Sequence, residues 1–309
     1  MNRKGNVSGS STSEGSISRR EKVGFLYILP WLIGFLLLTV YPMICSLVYC
    51  FYKFDFLTPS MFVGLRNFRD IFAHPDFLKS VKATGTYVLF AVPAKLLAAL
   101  ALALLLNVKL KGINLYRTVY YIPSIVGSSV AIGILWRMMF NKDGMINSVL
   151  GILGIAGQSW LGSPKTAIYV LCVLPMWQVG SSMVTFLAAL KQVPEYLYEA
   201  AKVDGAGPLT RFFRITLPMI SPIILFNLVM QAISAFQEFN SAYVVTNGGP
   251  IKSTYFFAMF IYEQSFKLLN FGFASALSWL LFAAVLVITM LIFFTSAKWV
   301  FYTDGGDII

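Results

Sequence analysis

Six apolar runs divide the chain, and charged or Gly-rich segments punctuate them. The first runs from Val23 to Tyr52 without a charge, and the others lie at about residues 83–106, 118–136, 166–190, 219–243 and 274–297. A helix rises about 1.5 Å per residue, so about 20 apolar residues cross a hydrocarbon layer of about 30 Å. The pattern therefore predicts an all-α polytopic membrane protein with six transmembrane helices. The first run is too long for a signal-peptide core and has no small-residue cleavage site near its end, so it reads as a span. Pro30 or Pro42 should bend it, and Pro175 and Gly180 should bend the fourth. Residues 1–22 are Gly/Ser-rich with basic punctuation and read as a disordered cytoplasmic tail; 23–298 form the transmembrane domain and 299–309 a second tail.

Composition strengthens the membrane reading. Hydrophobic residues make up 58% of the 309 positions and charged residues 12%, with a mean hydropathy of +0.74. A soluble domain carries about 25% charged residues. The net charge of +11 is then no pointer to nucleic acid, because basic residues kept on the cytoplasmic side of a membrane give the same excess. Arg19, Arg20 and Lys22 directly precede the first span and put the N-terminus inside. Six spans from there leave both termini and the segment 191–218 in the cytoplasm. The bias is modest, since the expected external loop 53–82 is itself rather basic.

Little here looks like reaction chemistry. Cys45, Cys50 and Cys172 sit in apolar runs without disulfide or metal spacing and read as small core residues. His74 is alone in a polar loop. Gly157 and Gly162 have phosphate-loop spacing, but Ser163-Pro164 separates them from Lys165, where such a loop needs Lys at once. No metal, nucleotide or enzymatic site is expected in this chain. The charges and amides inside spans matter more. Lys95 interrupts the second span, where an ammonium needs either a polar cavity or a buried partner. The fifth span carries Asn227, Gln231, Gln237, Glu238 and Asn240; Gln231, Gln237 and Asn240 recur near helical turns. They either face a substrate pathway or hydrogen-bond between packed helices.

The polar insert PEYLYEAAKVDGAGPLTRFFRITLP, Pro194 to Pro218, separates the fourth and fifth runs. It predicts two short helices and a tight corner. Pro194 and Pro208 suit first turns, and Gly205 suits the left-handed residue that ends a helix. Ala200 and Ala201 leave a smooth surface for close approach. Glu199-Ala200-Ala201, Asp204-Gly205 and Ile215-x-Leu217-Pro218 together resemble the EAA motif of binding-protein-dependent ABC importer permeases. The string Glu199 to Ala206 is similar to their carbohydrate branch. So are Gly64-Leu65-x-Asn67-Phe68, Arg117-Thr-x-Tyr-Tyr121-x-Pro123 and the external turn Thr246-Asn247-Gly248-Gly249-Pro250.

The resemblance covers Lys22 to Lys298 and implies a type I importer fold in a bacterial inner membrane. It implies that Glu199, Ala200, Ala201, Asp204, Gly205, Ile215, Leu217 and Pro218 form the coupling element that docks on an ATPase. It implies four kinds of partner: a second homologous permease subunit, two ATPase subunits, an extracytoplasmic solute-binding protein and a sugar substrate. ATP and Mg would sit on the ATPase subunits, with no cofactor on this chain. Lys95, Gln231, Gln237, Glu238 and Asn240 are the substrate-pathway candidates. The alternatives are a permease of the same machinery for a non-sugar solute and an ATP-independent secondary transporter. The latter usually carries internal repeats with matched helix breaks, and no convincing repeat is present.

Overall fold

The computed structural model describes residues 19–108, 110–127 and 129–302, with side chains from Tyr27 onward. Residues 1–18 of the tail expected over 1–22, and most of the tail expected over 299–309, lie outside the described residues. The helices in chain order are α1 (Arg19–Phe35), α2 (Tyr41–Tyr49), α3 (Arg66–Ala73), α4 (Phe77–Leu106), α5 (Ile113–Val126), α6 (Val130–Met139), α7 (Met145–Ile152), α8 (Ala167–Trp177), α9 (Gly180–Gln192), α10 (Glu195–Val203), α11 (Pro208–Arg211), α12 (Leu217–Met219), α13 (Ser221–Phe236), α14 (Phe257–Tyr262) and α15 (Phe271–Ser296). A two-residue antiparallel hairpin pairs Tyr52 with Phe62 and Lys53 with Met61.

Among the described residues, three helices are long and apolar enough to cross a membrane: Tyr27–Tyr49, Phe77–Leu106 and Phe271–Ser296. Three bent pairs pass the same test when each is taken together: α5 with α6, α8 with α9 (50°), and Pro208–Met219 with α13 (66°). The helical breaks have identifiable causes. A π-helical turn, Leu36–Val40, precedes Pro42, and another, Phe212–Thr216, precedes Pro218. In each, the residue before the proline donates its N–H five residues back, Tyr41 to Leu36 and Leu217 to Phe212. A proline ring collides with the carbonyl four residues earlier, and widening the turn relieves it. Pro42 is thus accommodated by a widened turn within a span, Tyr27–Tyr49, that stays one helix, and Pro30 sits inside continuous helix. Gly127, at φ +61° and ψ −159°, ends α5 in a conformation open to glycine.

Several boundaries differ from the sequence pattern. The chain is helical from Arg19, inside the expected disordered tail, because Arg, Glu and Lys there are good helix formers. The second span starts at Phe77 rather than near residue 83, because a helix carries polar residues such as Lys79 and Lys82 into its first turns without penalty. The third is broken at Gly127. The fifth does not run straight from residue 219 to 243: it bends at Ile220 and its helix stops at Phe236.

α4 is the central post, packed against α8, α9 and α13. Ala83, Ala91, Ala99 and Ala103 are buried on it, and such small residues let helix backbones approach closely. Two apolar clusters divide its length. Towards the Phe77 end, Tyr87 and Ala91 pack with Leu171, Phe256, Phe260, Phe273 and Leu277. Towards the Leu106 end, Ala99 and Ala103 pack with Met183, Phe186, Leu187 and Ile220.

Candidate functional site

A cavity of about 290 Å³ opens between the two clusters, lined by Tyr87, Ala91, Val92, Lys95, Pro175, Gln178, Ser181, Gln231, Ser234, Ala235 and Glu238. Its walls are α4, the break between α8 and α9, and the end of α13. The break follows from Pro175 and Gly180. The backbone N–H of Gln178 turns back to the Pro175 carbonyl at 3.2 Å, and its side-chain amide donates to the Gly127 carbonyl at 2.9 Å. One helix break is thereby tied to another. A Cβ on Gly180 would lie 2.7 Å from the Tyr121 Cα, so only glycine lets α9 start against α5.

The polar residues of the fifth span divide by role. Asn227 is buried and exchanges hydrogen bonds with the Thr185 hydroxyl at 2.9 and 3.2 Å, bracing α13 against α9. Gln231 donates to the Ser182 hydroxyl at 3.1 Å and also lines the cavity. Glu238 lines it too; its Oε1 accepts from the backbone N–H and the hydroxyl of Ser241, both at 2.9 Å. Gln237 and Asn240 are exposed and do not line the cavity. The helix ends at Phe236, so the turn-by-turn spacing that grouped them with Gln231 does not continue. Gln178, Ser181 and Ser234 also line the cavity and are not among the residues that the sequence pattern singles out. Gln178, between Pro175 and Gly180, carried a signal; an isolated serine in an apolar run carries none.

At the Leu106 end the insert folds as an elbow. Pro194 is the N-cap of α10 rather than a first-turn residue. Gly205, at φ +76°, ends that helix. Ala206 N–H reaches the Ala201 carbonyl at 2.8 Å and Gly205 N–H the Lys202 carbonyl at 3.0 Å, the paired bonds of a Schellman cap. Gly207 then caps α11, with Pro208 at its first position. Glu199, Ala200, Asp204 and Gly205 are exposed and Ala201 half-exposed. Ile215 packs on the cluster at the Leu106 end, and Leu217 and Pro218 are half-buried. The Tyr198 hydroxyl and the Thr216 hydroxyl lie 2.8 Å apart and fasten the two arms. Val203 is 88% exposed and Leu209 73%, an unusual share for apolar side chains on a polar corner.

At the Phe77 end the predicted turn is tightly held. Asn247 and Gly248 take left-handed conformations and Gly249–Pro250 is a cis peptide. Thr254 donates to the Gly249 carbonyl at 2.7 Å. Lys252 reaches Asp76 at 2.5 Å and lies 4.7 Å above the Tyr255 ring. Burial pushes the Asp76 carboxyl up, but Lys252, with His74 and Lys79 beside it, outweighs that and holds the group below the ordinary carboxylate value. Burial, followed by the hydrogen bond to Glu263, pushes the Tyr255 phenol above its usual value. The His74 ring lies tilted against Phe260 and Phe273, and Cys50 and Cys172 are buried free thiols. No group of three His, Cys, Asp or Glu able to hold a metal occurs among the described residues.

Comparison with known proteins gives one answer at three levels. Residues 71–301 match the family model described as binding-protein-dependent transport system inner membrane component. The chain is 43% identical to the probable ABC transporter permease protein YesP of Bacillus subtilis, over 98% of this chain and 99% of that protein. It is 36% identical to the sulfoquinovosyl glycerol transport system permease protein SmoG of Agrobacterium fabrum, over 85% and 87%. A solved bacterial ABC transporter, involved in import of the acidic polysaccharide alginate, has a chain superposing with a TM-score of 0.77 at 25% identity, over 91% of this chain and 96% of that one. The chain belongs to the family of binding-protein-dependent transport system inner membrane components.

Proposed function

We propose that this protein is the transmembrane permease subunit of an ATP-driven importer for a sugar or oligosaccharide. The observation that carries the reading is that the cavity and the elbow are joined by the same two helices. α9 begins at the cavity, with Ser181, and ends at Gln192, just before the elbow. α13 begins just after the elbow and reaches the cavity at Gln231 and Ser234. Both are short levers of about 20–24 Å at 1.5 Å per residue.

The mechanism follows from that layout. Separate ATPase subunits carry ATP and Mg and cover the exposed face of α10, including Glu199, Ala200, Asp204 and Gly205. When they close on ATP they displace the elbow. The Schellman cap and the Tyr198–Thr216 bond keep its arms together, so the movement passes to α9 and α13 and reshapes the cavity between them. ATP shifts the equilibrium only through its different affinity for the two states of the assembly. Each bent pair serves as one span, giving six with both termini in the cytoplasm. A solute-binding protein delivers the solute at the outer face, near Asn247 to Pro250. From Tyr27 to Tyr49 most side chains are apolar and exposed, and a second permease subunit and lipid cover them. The saccharide class rests on kinship: SmoG is named for sulfoquinovosyl glycerol and the alginate transporter for a polysaccharide.

The test is uptake into proteoliposomes that hold the full complex, with ATP inside and the binding protein and labelled saccharides outside. ATP-dependent accumulation is the expected result. Orientation is tested separately with Lys202→Cys in whole cells: an impermeant thiol reagent should reach it only after the membrane is opened. Labelling from outside would overturn the coupling role of the elbow.

A further inference from the structure

The cavity has one feature that its role as a pathway does not require. Lys95 lies eighteen residues from one end of α4 and eleven from the other, roughly 27 and 17 Å along the axis. Its side chain is half-buried and faces the cavity. It makes no hydrogen bond and no contact ion pair with another described residue, and its electrostatic interaction is with Glu238. Glu238 is not free to close on it, because two donors of Ser241 hold one carboxylate oxygen at 2.9 Å. An ammonium and a carboxylate therefore stand apart across an open space instead of neutralising each other by contact.

Such an arrangement is costly in an empty site and useful in a filled one. A charge at this depth keeps its energy low only with water or a counter-charge beside it. The cavity of about 290 Å³ has room for about ten waters, or for a saccharide unit in their place. A neutral sugar would displace that water and offer Lys95 only hydroxyl oxygens. A sugar acid would offer a carboxylate, and charge-assisted hydrogen bonds are about twice as strong as neutral ones. The free oxygen of Glu238 is a pure acceptor and would take hydroxyl protons from the same ring. Gln231 and Gln178 add amides at the rim. We infer that the solute is an acidic saccharide, its anionic group held by Lys95 and its hydroxyls by Glu238. This assignment rests on the cavity being the solute pathway.

The experiment uses the complete complex with its binding protein in proteoliposomes and a panel of matched disaccharides. Each pair has one member with a terminal uronate and one with the corresponding neutral hexose. The acidic members should be accumulated at least about tenfold faster. Lys95→Met should reduce that uptake by about 10- to 100-fold, the cost of removing one partner of a charged hydrogen bond. Lys95→Arg should recover most of it. Methionine suits a membrane span at least as well as lysine, and recovery of ATPase subunits with the purified variant verifies assembly. Accumulation of neutral members with rejection of acidic ones would overturn the assignment and leave the saccharide permease standing. Unchanged acidic uptake by an assembled Lys95→Met complex would also overturn it. Accumulation of neither kind, by a complex whose ATP hydrolysis responds to the binding protein, would overturn both readings.

Discussion

The two ends of α4 are built on opposite plans. At the Asp76 end, residues far apart in sequence bind one another: Lys252 to Asp76, Asn67 to the Cys50 and Tyr52 carbonyls at 2.7 and 3.0 Å, Gly272 N–H to the Phe54 carbonyl at 3.0 Å. At the elbow end the Phe301 N–H reaches the Ser221 hydroxyl at 2.8 Å, but the corner from Val203 to Gly207 is held by local bonds and its outer face is bare; Val203 and Leu209 are exposed there. One end satisfies its own polar groups; the other, in the proposed function, is covered by the ATPase subunits. Damage at the first should therefore cost folding, and damage at the second should cost coupling in a chain that still folds.

The largest expected effect is at the elbow. Gly205→Pro cannot adopt φ +76° and has no N–H for the Lys202 carbonyl, so α10 loses its cap and the corner changes direction. Uptake and ATPase association should be lost while the chain still inserts in the membrane. Gly205→Ala is the matched control. A Cβ there meets nothing within 4 Å, leaving only a left-handed strain of about 1–2 kcal/mol, and most uptake should survive. Equal loss in both variants would mean that the surface at Gly205, not the turn, is what matters.

The counterpart at the other end is Gly272→Ala. The added Cβ would lie 2.1 Å from the Tyr52 carbonyl oxygen and 3.1 Å from the Phe54 nitrogen. Backbone must move, at about 1–3 kcal/mol for an overpacked site. Thermal stability of the purified complex should fall while uptake per folded molecule stays normal. A fall in uptake at unchanged stability would erase the contrast between the ends. Tyr198→Phe comes next. It removes the bond to Thr216, worth about 1 kcal/mol, and should lower transport per ATP hydrolysed more than it lowers stability.

The two ends were not equally legible in the sequence. The elbow was, because its geometry is written in neighbouring residues: a proline, a run of helix formers, a glycine, a second proline. The bend between α8 and α9 was legible for the same reason. The Lys252–Asp76 pair was not, since 176 residues separate its members and neither lies in an informative pattern. The break at Gly127 looked like any glycine in an apolar run. The end of α13 at Phe236 coincides with the polar run Gln237, Glu238, Asn240 and Ser241, but a span that lines a pathway can carry such residues, so the run alone does not read as a stop. The cavity sits between these cases. Lys95, Gln231 and Glu238 stood out as polar groups in apolar runs, but their meeting across α4 and α13 depends on packing that no local pattern records.

The smallest expected effect tests that long-range pair. Asp76→Asn keeps the side chain's shape and removes its charge from Lys252. The Lys252 side chain is 41% exposed and that of Asp76 16%, so screening limits the pair to about 1 kcal/mol or less. Its pH dependence identifies it. Asp76 titrates below its ordinary value in the folded protein, so its contribution is complete above the unfolded carboxylate value of about 3.9 and is lost as pH falls through the lower folded value. The gap in thermal stability between wild type and Asp76→Asn should be constant from neutral pH to about pH 5, and should close only in stronger acid. A gap that persists to the lowest pH at which the complex stays folded would mean that Asp76 acts through its shape and its position ahead of α4. The Asp76 end would then owe its closure to hydrogen bonds such as those of Asn67, with the ion pair incidental.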